Sequence, residues 1–189
     1  MARVTAVNKP GDYPGNPDET TKTELAELFK TLFPQSDNPS FDEAHAGLAV
    51  TAQSPRLALN LAKMSGFMAK DLPWVQQHPH LNELAIQTLN IHFKNHYTLK
   101  SRKPHAEAAG ISETLLAAIA FWENSDSFSD EQRLVIEYTC AVIAGDVPAA
   151  LFAKVVDRYG ERGAIEFTAA IGWWSMWTMI LNATHPEEN

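Results

Sequence analysis

Apolar residues in this chain recur at the three- and four-residue spacing of an α-helix, and strict alternation of apolar and polar residues is absent over any useful length. Half-buried strands require that alternation, so the pattern predicts an all-α fold. It predicts about eight helices, at about 18–33, 41–52, 55–70, 81–94, 113–124, 129–144, 148–160 and 161–183. Beyond residue 94 the pattern continues, with a bend, toward Ala109, and Pro104 marks a break or a new first turn there.

Residues that favour helix ends mark several of these boundaries. Ser129, with Gln132 three residues later, forms a capping box that begins the helix at 129–144. Gly145 and Gly160 each follow a helical pattern and predict a helix end, because glycine adopts the left-handed conformation that terminates many helices. Local chemistry therefore predicts some boundaries independently of periodicity.

The length of 189 residues is typical of one domain, and the hydrophobic fraction of 45% is enough for a core without disulfides or metals. Residues 1–17 contain three prolines and two glycines without periodicity, which predicts an extended N-terminal arm. Residues 18–189 are predicted to form a single all-α domain.

The net charge of −8 disfavours nucleic acid as a partner, because neutralising phosphates requires clustered Lys and Arg. The nearest approach to a basic cluster is formed by Lys94, Lys100, Arg102 and Lys103. That cluster is too short to outweigh the overall charge, but it can attract a small anionic ligand locally.

A single cysteine, Cys140, excludes an internal disulfide and any CxxC redox motif. This cysteine usage fits a reducing compartment. The N-terminal residues contain no apolar run of the length that a signal peptide needs, so a cytoplasmic location is expected.

The segment 167–184 contains no charged residue and approaches the length that spans a bilayer. Polar residues interrupt it, Glu166 precedes it, and no basic flank anchors it. The sequence therefore favours a buried helix of an oligomer over a membrane span, and no membrane partner is expected. The tryptophans of this segment are expected in the core or in a subunit interface, with a pocket lining as the alternative.

The stretch 82–112 reads NELAIQTLNIHFKNHYTLKSRKPHAEAAGIS. It resembles the core segment of the alkylhydroperoxidase-D and carboxymuconolactone decarboxylase family, in which a helix that opens with Glu-Leu leads to a polar or redox motif and an Ala-Gly-Ile-Ser-type turn. The capped helix at 129–144 and the terminal helix are also similar, so the resemblance covers about 40–183. It implies an alkylhydroperoxidase-D-like helical bundle and a homo-oligomer built from trimers or dimers.

The peroxidases of that family use a glutamate, two cysteines and a histidine at fixed spacing. Carried onto this chain, the glutamate matches Glu83, the cysteine positions fall on Asn95 and Thr98, and the histidine position falls on Arg102. Neither an amide nor an unactivated hydroxyl forms a disulfide. The resemblance therefore implies a divergent member that is not a dithiol peroxidase.

The resemblance and the chemistry of the residues together define one candidate site. The residues expected in catalysis are Glu83, His96 and Arg102. Those expected to bind the substrate are Asn95, Thr98 and Lys100. Arg102 would orient a small anionic substrate through its bidentate guanidinium, while Glu83 and His96 would move protons. Neither a metal nor a cofactor is expected.

Each of these residues also has a structural interpretation. Glu83 lies near a helix start, where the helix dipole favours a carboxylate, and Arg102 alone would be a solvated surface arginine. His92 and His96 have the i, i+4 spacing of a metal pair, but Lys94 lies between them and disfavours a cation. Cys140 lies in an apolar stretch and is expected to be a small buried residue.

Three functions stay open from the sequence. The first is a cofactor-independent enzyme, close to the decarboxylase branch, that acts on a small carboxylated or lactone substrate. The second is a non-catalytic binding or scaffold protein. The third, which is the least favoured, is a peroxidase-related protein that uses Cys140 with an external thiol.

Overall fold

The computed structural model describes residues 2–42 and 45–186, and in this part of the chain it contains helices and no strand. The all-α prediction is therefore confirmed. Ten α-helices are described: α1 (Glu19–Leu32), α2 (Ala46–Thr51), α3 (Pro55–Lys70), α4 (Pro73–Gln77), α5 (Pro79–His92), α6 (His96–Ser101), α7 (Lys103–Ala108), α8 (Glu113–Ala118), α9 (Asp130–Ala144) and α10 (Ala149–Thr184). The described residues also include two 3-10 helices, Pro10–Asp12 and Ile119–Asn124.

Side chains at the helix ends act as the sequence predicts. The Ser129 hydroxyl accepts a hydrogen bond from the Gln132 N–H, and the Gln132 side chain accepts one from the Ser129 N–H, which together form the capping box of α9. Gly145 ends that helix with a φ of 74°, in the left-handed region. The polar side chains thus satisfy backbone groups that the first turn of a helix leaves unpaired.

Helix number is where the structure departs from the prediction. Residues 73–77, expected to be a loop, form the short helix α4, which has a proline in its first turn. The single long pattern from residue 81 toward Ala109 divides into α5, α6 and α7, and Pro104 lies in the first turn of α7. The predicted helix at 41–52 begins only at Ala46, and residues 43 and 44 lie outside the described residues.

Gly160 divides α10 into two helical segments that meet at a kink. Its φ of 73° and ψ of 167° are not helical, so the predicted helix end at this residue is confirmed. This backbone conformation is essentially restricted to glycine. A Cβ at Gly163 would lie 2.8 Å from the Cβ of Tyr159.

The described chain divides into two compact units. The first comprises residues 2–67 with 180–186 and contains α1, α2 and most of α3. Its core is a cluster of buried apolar side chains around Leu28 and Phe29. Val7, in the predicted arm, is fully buried there and donates its N–H to the Ala49 carbonyl over 2.9 Å. Val7 thus anchors the predicted arm to its own unit.

The second unit, residues 68–179, contains α4 to α9 and most of α10. Its core is larger, and α5 packs mainly on α9. Phe167 on α10 is fully buried and stacks on Trp74 with ring centroids 4.1 Å apart. This unit holds the whole candidate site, whereas the prediction of one domain over 18–189 stays a prediction.

Hydropathy along the helices gives a further result. Over residues 2–42 and 45–186, no helix is both long enough and apolar enough to cross a membrane.

Candidate functional site

Helix α5 carries an unusual number of polar side chains into the interior. Ten consecutive residues, Leu81–Asn90, are buried, and half of them are polar: Asn82, Glu83, Gln87, Thr88 and Asn90. A buried polar group is destabilising unless it is hydrogen-bonded, and a buried charge is strongly so unless it is paired. The hydrogen-bond and ion-pair partners of these buried side chains therefore define the candidate site.

The chain turns sharply at the end of α5. Lys94 has a φ of 54°, in the left-handed region, and the N–H of Asn95 donates to the Asn90 carbonyl over 2.8 Å. These are the features of a Schellman motif, a common helix end. The Asn95 side chain then begins α6 by accepting the Thr98 N–H over 2.9 Å. The bend that the sequence predicts beyond residue 94 is thus present.

This turn brings Arg102 back to Glu83. The Nε of Arg102 donates to Oε1 of Glu83 over 3.2 Å, and Nη2 of Arg102 forms an ion pair with Oε2. The Glu83 side chain is buried, while the Arg102 side chain is 23% exposed. Two guanidinium nitrogens therefore hold both carboxylate oxygens, in the bidentate arrangement that is strongest for this pair.

Two further side chains complete the surroundings of the ion pair. Gln87, one turn along α5, donates its Nε2 to Oε1 of Glu83 over 2.7 Å and is fully buried. On the other side, the guanidinium carbon of Arg102 lies 5.7 Å from the centroid of the Trp174 ring of α10. An aromatic face at that distance stabilises a cation. Helices α5 and α10 together with Arg102, at the end of α6, thus build the centre.

Of Asn95 and Thr98, the two residues expected to bind substrate, the Asn95 side chain has a structural role, whereas the Thr98 hydroxyl has none that is described. Asn95 is buried and donates its Nδ2 to the Thr178 carbonyl over 3.4 Å, in addition to capping α6. Thr178 in turn donates its hydroxyl to the Asn90 side chain over 3.4 Å. The Thr98 hydroxyl is buried without a hydrogen-bond partner among the described residues. Thr98 is therefore the member of this group that retains an unused polar atom.

His96 and Lys100 differ from the ion pair in their exposure to solvent. Both are exposed, and neither is among the described hydrogen-bond partners of Glu83 or Arg102. His96 is the first residue of α6, so its side chain leaves the helix on a different side from that of Arg102 at the other end. Of the three residues expected in catalysis, the structure brings two together.

The other reactive side chains considered from the sequence lie elsewhere. His92 is exposed, and in residues 2–42 and 45–186 no group of three or more His, Cys, Asp or Glu side chains is arranged to hold a metal ion. Cys140 is partly buried on α9, and burial, with the negative charge of Glu123, raises the pKa of its thiol. A raised pKa leaves little thiolate at neutral pH, so Cys140 is a weak nucleophile.

Sequence reasoning missed two contributors to the site. Gln87 lies four residues after Glu83, the spacing at which two side chains of one helix meet, so the local pattern contained the signal. Trp174 is 72 residues from Arg102 in the chain and had been expected in the core or in an interface, with a pocket lining as the alternative. No local pattern predicts that contact, because it depends on how α10 packs.

Comparison with known proteins gives limited information. A stretch of 69 residues is 39% identical to uncharacterized protein YnjA of Escherichia coli strain K12. That stretch covers 35% of this chain and 37% of the E. coli protein, so the chain spans little more than a third of the length of the curated relative that it matches. No family model matches the chain, and no solved structure matches it.

Proposed function

We propose that this chain is a divergent member of the alkylhydroperoxidase-D and carboxymuconolactone decarboxylase family and a cofactor-independent enzyme for a small carboxylated or lactone substrate. The proposal is supported by the order of the motifs in 82–112 and by an all-helical fold. Its main support is the ion pair of Glu83 and Arg102, which joins two positions of that motif across the turn at Lys94 and Asn95.

The geometry suggests how the pair would act. Arg102 is partly exposed, and its Nη1 has no described hydrogen-bond partner, so an anionic group can approach the guanidinium while Nε and Nη2 still hold Glu83. A substrate carboxylate bound at Nη1 would compete with Glu83 for the same positive charge. Glu83 would then be held less strongly by Arg102 and could accept a proton from the substrate. Gln87 would keep the carboxylate in place during the transfer.

The proposal also covers the substrate, the oligomeric state and the location of the protein. The substrate is small and anionic, and the basic residues of 94–103 favour its approach in an otherwise acidic protein. The protein acts as a homo-oligomer of trimers or dimers. A cytoplasmic location is proposed on the ground of the single cysteine.

A non-catalytic binding or scaffold role is the second candidate, and one observation favours it. Glu83 already receives hydrogen bonds from Arg102 and Gln87, and His96, the expected second proton-transfer group, is exposed away from them. An ion pair of this kind can also act purely structurally, by holding Arg102 at the end of α6 against α5.

A binding and turnover assay with a panel of small carboxylates and lactones distinguishes these two functions. We expect at least one carboxylate to bind and to be turned over, and Glu83→Gln to lower turnover by at least about 100-fold, as for loss of a general base. The isosteric amide should leave binding of the carboxylate to Arg102 within a few-fold. The matched control is Glu113→Gln, which removes an exposed glutamate paired with Lys103 and should change neither quantity.

Each result of this assay has a definite meaning. Binding without turnover in the unaltered protein would support the scaffold role. Absence of binding by every carboxylate and lactone in the panel would contradict the proposed enzyme.

Dithiol-dependent peroxide reduction should be absent. Asn95 and Thr98 occupy the positions of the paired cysteines, and the raised pKa of the Cys140 thiol makes it a poor substitute. Alkyl hydroperoxide consumption in the presence of a dithiol should therefore equal that of the buffer, for the unaltered protein and for Cys140→Ser alike. Robust turnover that persisted in Cys140→Ser would show that the motif has been misassigned.

A further inference from the structure

One face of α10 is apolar and exposed over four turns. Beyond the break at Gly160, the exposed residues on this face are Ile165, Ala169, Gly172 and Met179. Ile165 is 63% exposed and Met179 is 55% exposed, although both are large apolar residues. No neighbouring element in the second unit covers them. Contiguous exposed apolar surface of this kind marks a site of interaction.

The face has an approximate two-fold pattern in sequence. Ile165 and Met179 lie seven residues before and after Gly172, and seven residues are close to two helical turns. The two large side chains therefore project from the same face at equal distances of roughly 10 Å from Gly172 along the helix axis. Small residues, Ala169 and Gly172, occupy the centre between them. If a second copy of this helix crosses in the opposite direction at Gly172, each Ile165 meets the other copy's Met179.

Charge also favours a second copy on this face. The chain carries a net charge of −8, so two copies repel each other over most of their surfaces. The segment 167–184 contains no charged residue, so in an antiparallel crossing at Gly172 the side chains of Arg162 and Glu166 lie beside an uncharged part of the other copy's helix. Like charges therefore do not meet along the crossing.

Gly172 fits the centre of such a crossing. A Cβ added there would meet nothing within 4 Å, so nothing within the chain requires glycine at this position, and its φ is not in the left-handed region. Glycine within a helix is destabilising by roughly 0.5–1 kcal/mol relative to alanine. The open space in front of it is what allows two helices to approach closely.

We propose that a second copy of this chain packs antiparallel on this face, with a two-fold axis at Gly172 and with Ile165 of each copy against Met179 of the other. The inference rests on the proposed self-association and is independent of the proposed catalysis at Glu83. It states which surface forms the contact, in which direction the helices run, and that the contact is isologous.

Cysteine cross-linking tests the arrangement directly. In the Cys140→Ser background the chain has no other cysteine, so each added thiol reports one position. Under mild oxidation Gly172→Cys should cross-link to itself, since the two copies of this residue face each other at the axis within disulfide range. Ile165→Cys alone and Met179→Cys alone should stay uncross-linked, because each is roughly 20 Å from its own copy. A mixture of the two variants should give a covalent heterodimer.

The pattern of cross-linking distinguishes the antiparallel arrangement from other arrangements of the two copies. Cross-linking of Ile165→Cys with itself would indicate parallel helices and overturn the proposal. Failure of Gly172→Cys to cross-link would also overturn it, and cross-linking of an exposed control, Phe121→Cys, to a similar extent would show that random collision accounts for the result.

Light scattering of the unaltered chain at micromolar concentration supplies the second measurement. A two-fold contact predicts a mass that is an even multiple of 20.9 kDa, and Met179→Glu should reduce it to a smaller species by placing a charge in the crossing. A mass of 20.9 kDa would exclude self-association altogether. A trimer without two-fold contacts would leave self-association standing and overturn this arrangement. Neither result bears on the carboxylate panel, so failure here is distinguishable from failure of the proposed enzyme.

Discussion

Replacing Arg102 with methionine is expected to lower the free energy of unfolding by about 3–5 kcal/mol, the range for removing one partner of a buried ion pair. Glu83 is buried and receives two of its hydrogen bonds from Arg102. Methionine keeps much of the side-chain volume against Trp174 but leaves the carboxylate with Gln87 as its described partner. The loss should appear as a shift of the urea midpoint at constant slope.

The double variant shows whether an unpaired charge causes this loss. Glu83→Gln combined with Arg102→Met removes both charges and should recover most of the stability, because a neutral amide is far less destabilising in the interior than a carboxylate. Arg56→Met is the matched control, since Arg56 pairs with Glu27 at an exposed position and should change stability by at most about 1 kcal/mol. All variants should be compared at one protein concentration, because self-association shifts apparent stability.

A loss no larger than that of Arg56→Met would contradict this account of the pair. It would mean that Glu83 finds solvent or another donor when Arg102 is absent, and the buried centre on which the proposed chemistry depends would not exist in solution.

Phe167→Ala is expected to destabilise the chain by about 3–5 kcal/mol, the range for truncating a buried aromatic residue. Phe167 is fully buried, stacks on Trp74 with centroids 4.1 Å apart, and has its ring 5.2 Å from that of Tyr138. Truncation removes these contacts and leaves a cavity that rigid neighbouring rings cannot fill. Thermal unfolding followed by far-ultraviolet circular dichroism measures the effect.

Phe121→Ala provides the comparison, because the same substitution there affects a side chain that is 64% exposed. Its effect should be within about 0.5 kcal/mol. If the two variants had similar melting temperatures, the aromatic cluster around Phe167 would not be the main core of the second unit.

The boundaries that the sequence predicts well are those set by local chemistry. The capping box of Ser129 and Gln132 and the left-handed Gly145 act within one turn of helix, so their residue types suffice. The short helix α4 was missed because five residues with a proline give too brief a pattern to separate from a loop. The sequence predicted a bend beyond residue 94 but not the sharp turn that the structure has at Lys94, because lysine seldom adopts a positive φ and the turn carries no glycine signal.

The sequence predicted part of the candidate site. The family resemblance placed Glu83 and Arg102 in one site as a hypothesis, and the structure has them in contact. The exposure of His96 depends on where α6 begins, which the sequence did not show. The contact of Trp174 with Arg102 depends on the packing of α10, and the exposure of Ile165 and Met179 depends on which surfaces the fold leaves uncovered.

Asn95 makes hydrogen bonds to two different helices, and this limits which substitutions the site can tolerate. Its side chain caps α6 and also reaches the Thr178 carbonyl on α10, while its backbone N–H closes the end of α5. A cysteine there would keep the backbone contact but lose the amide, and thiols are weak hydrogen-bonding groups. Introducing cysteines at Asn95 and Thr98 would therefore loosen α6, and with it the hold of Arg102 on Glu83. For an engineer, adding redox chemistry here and keeping the present ion pair are competing aims.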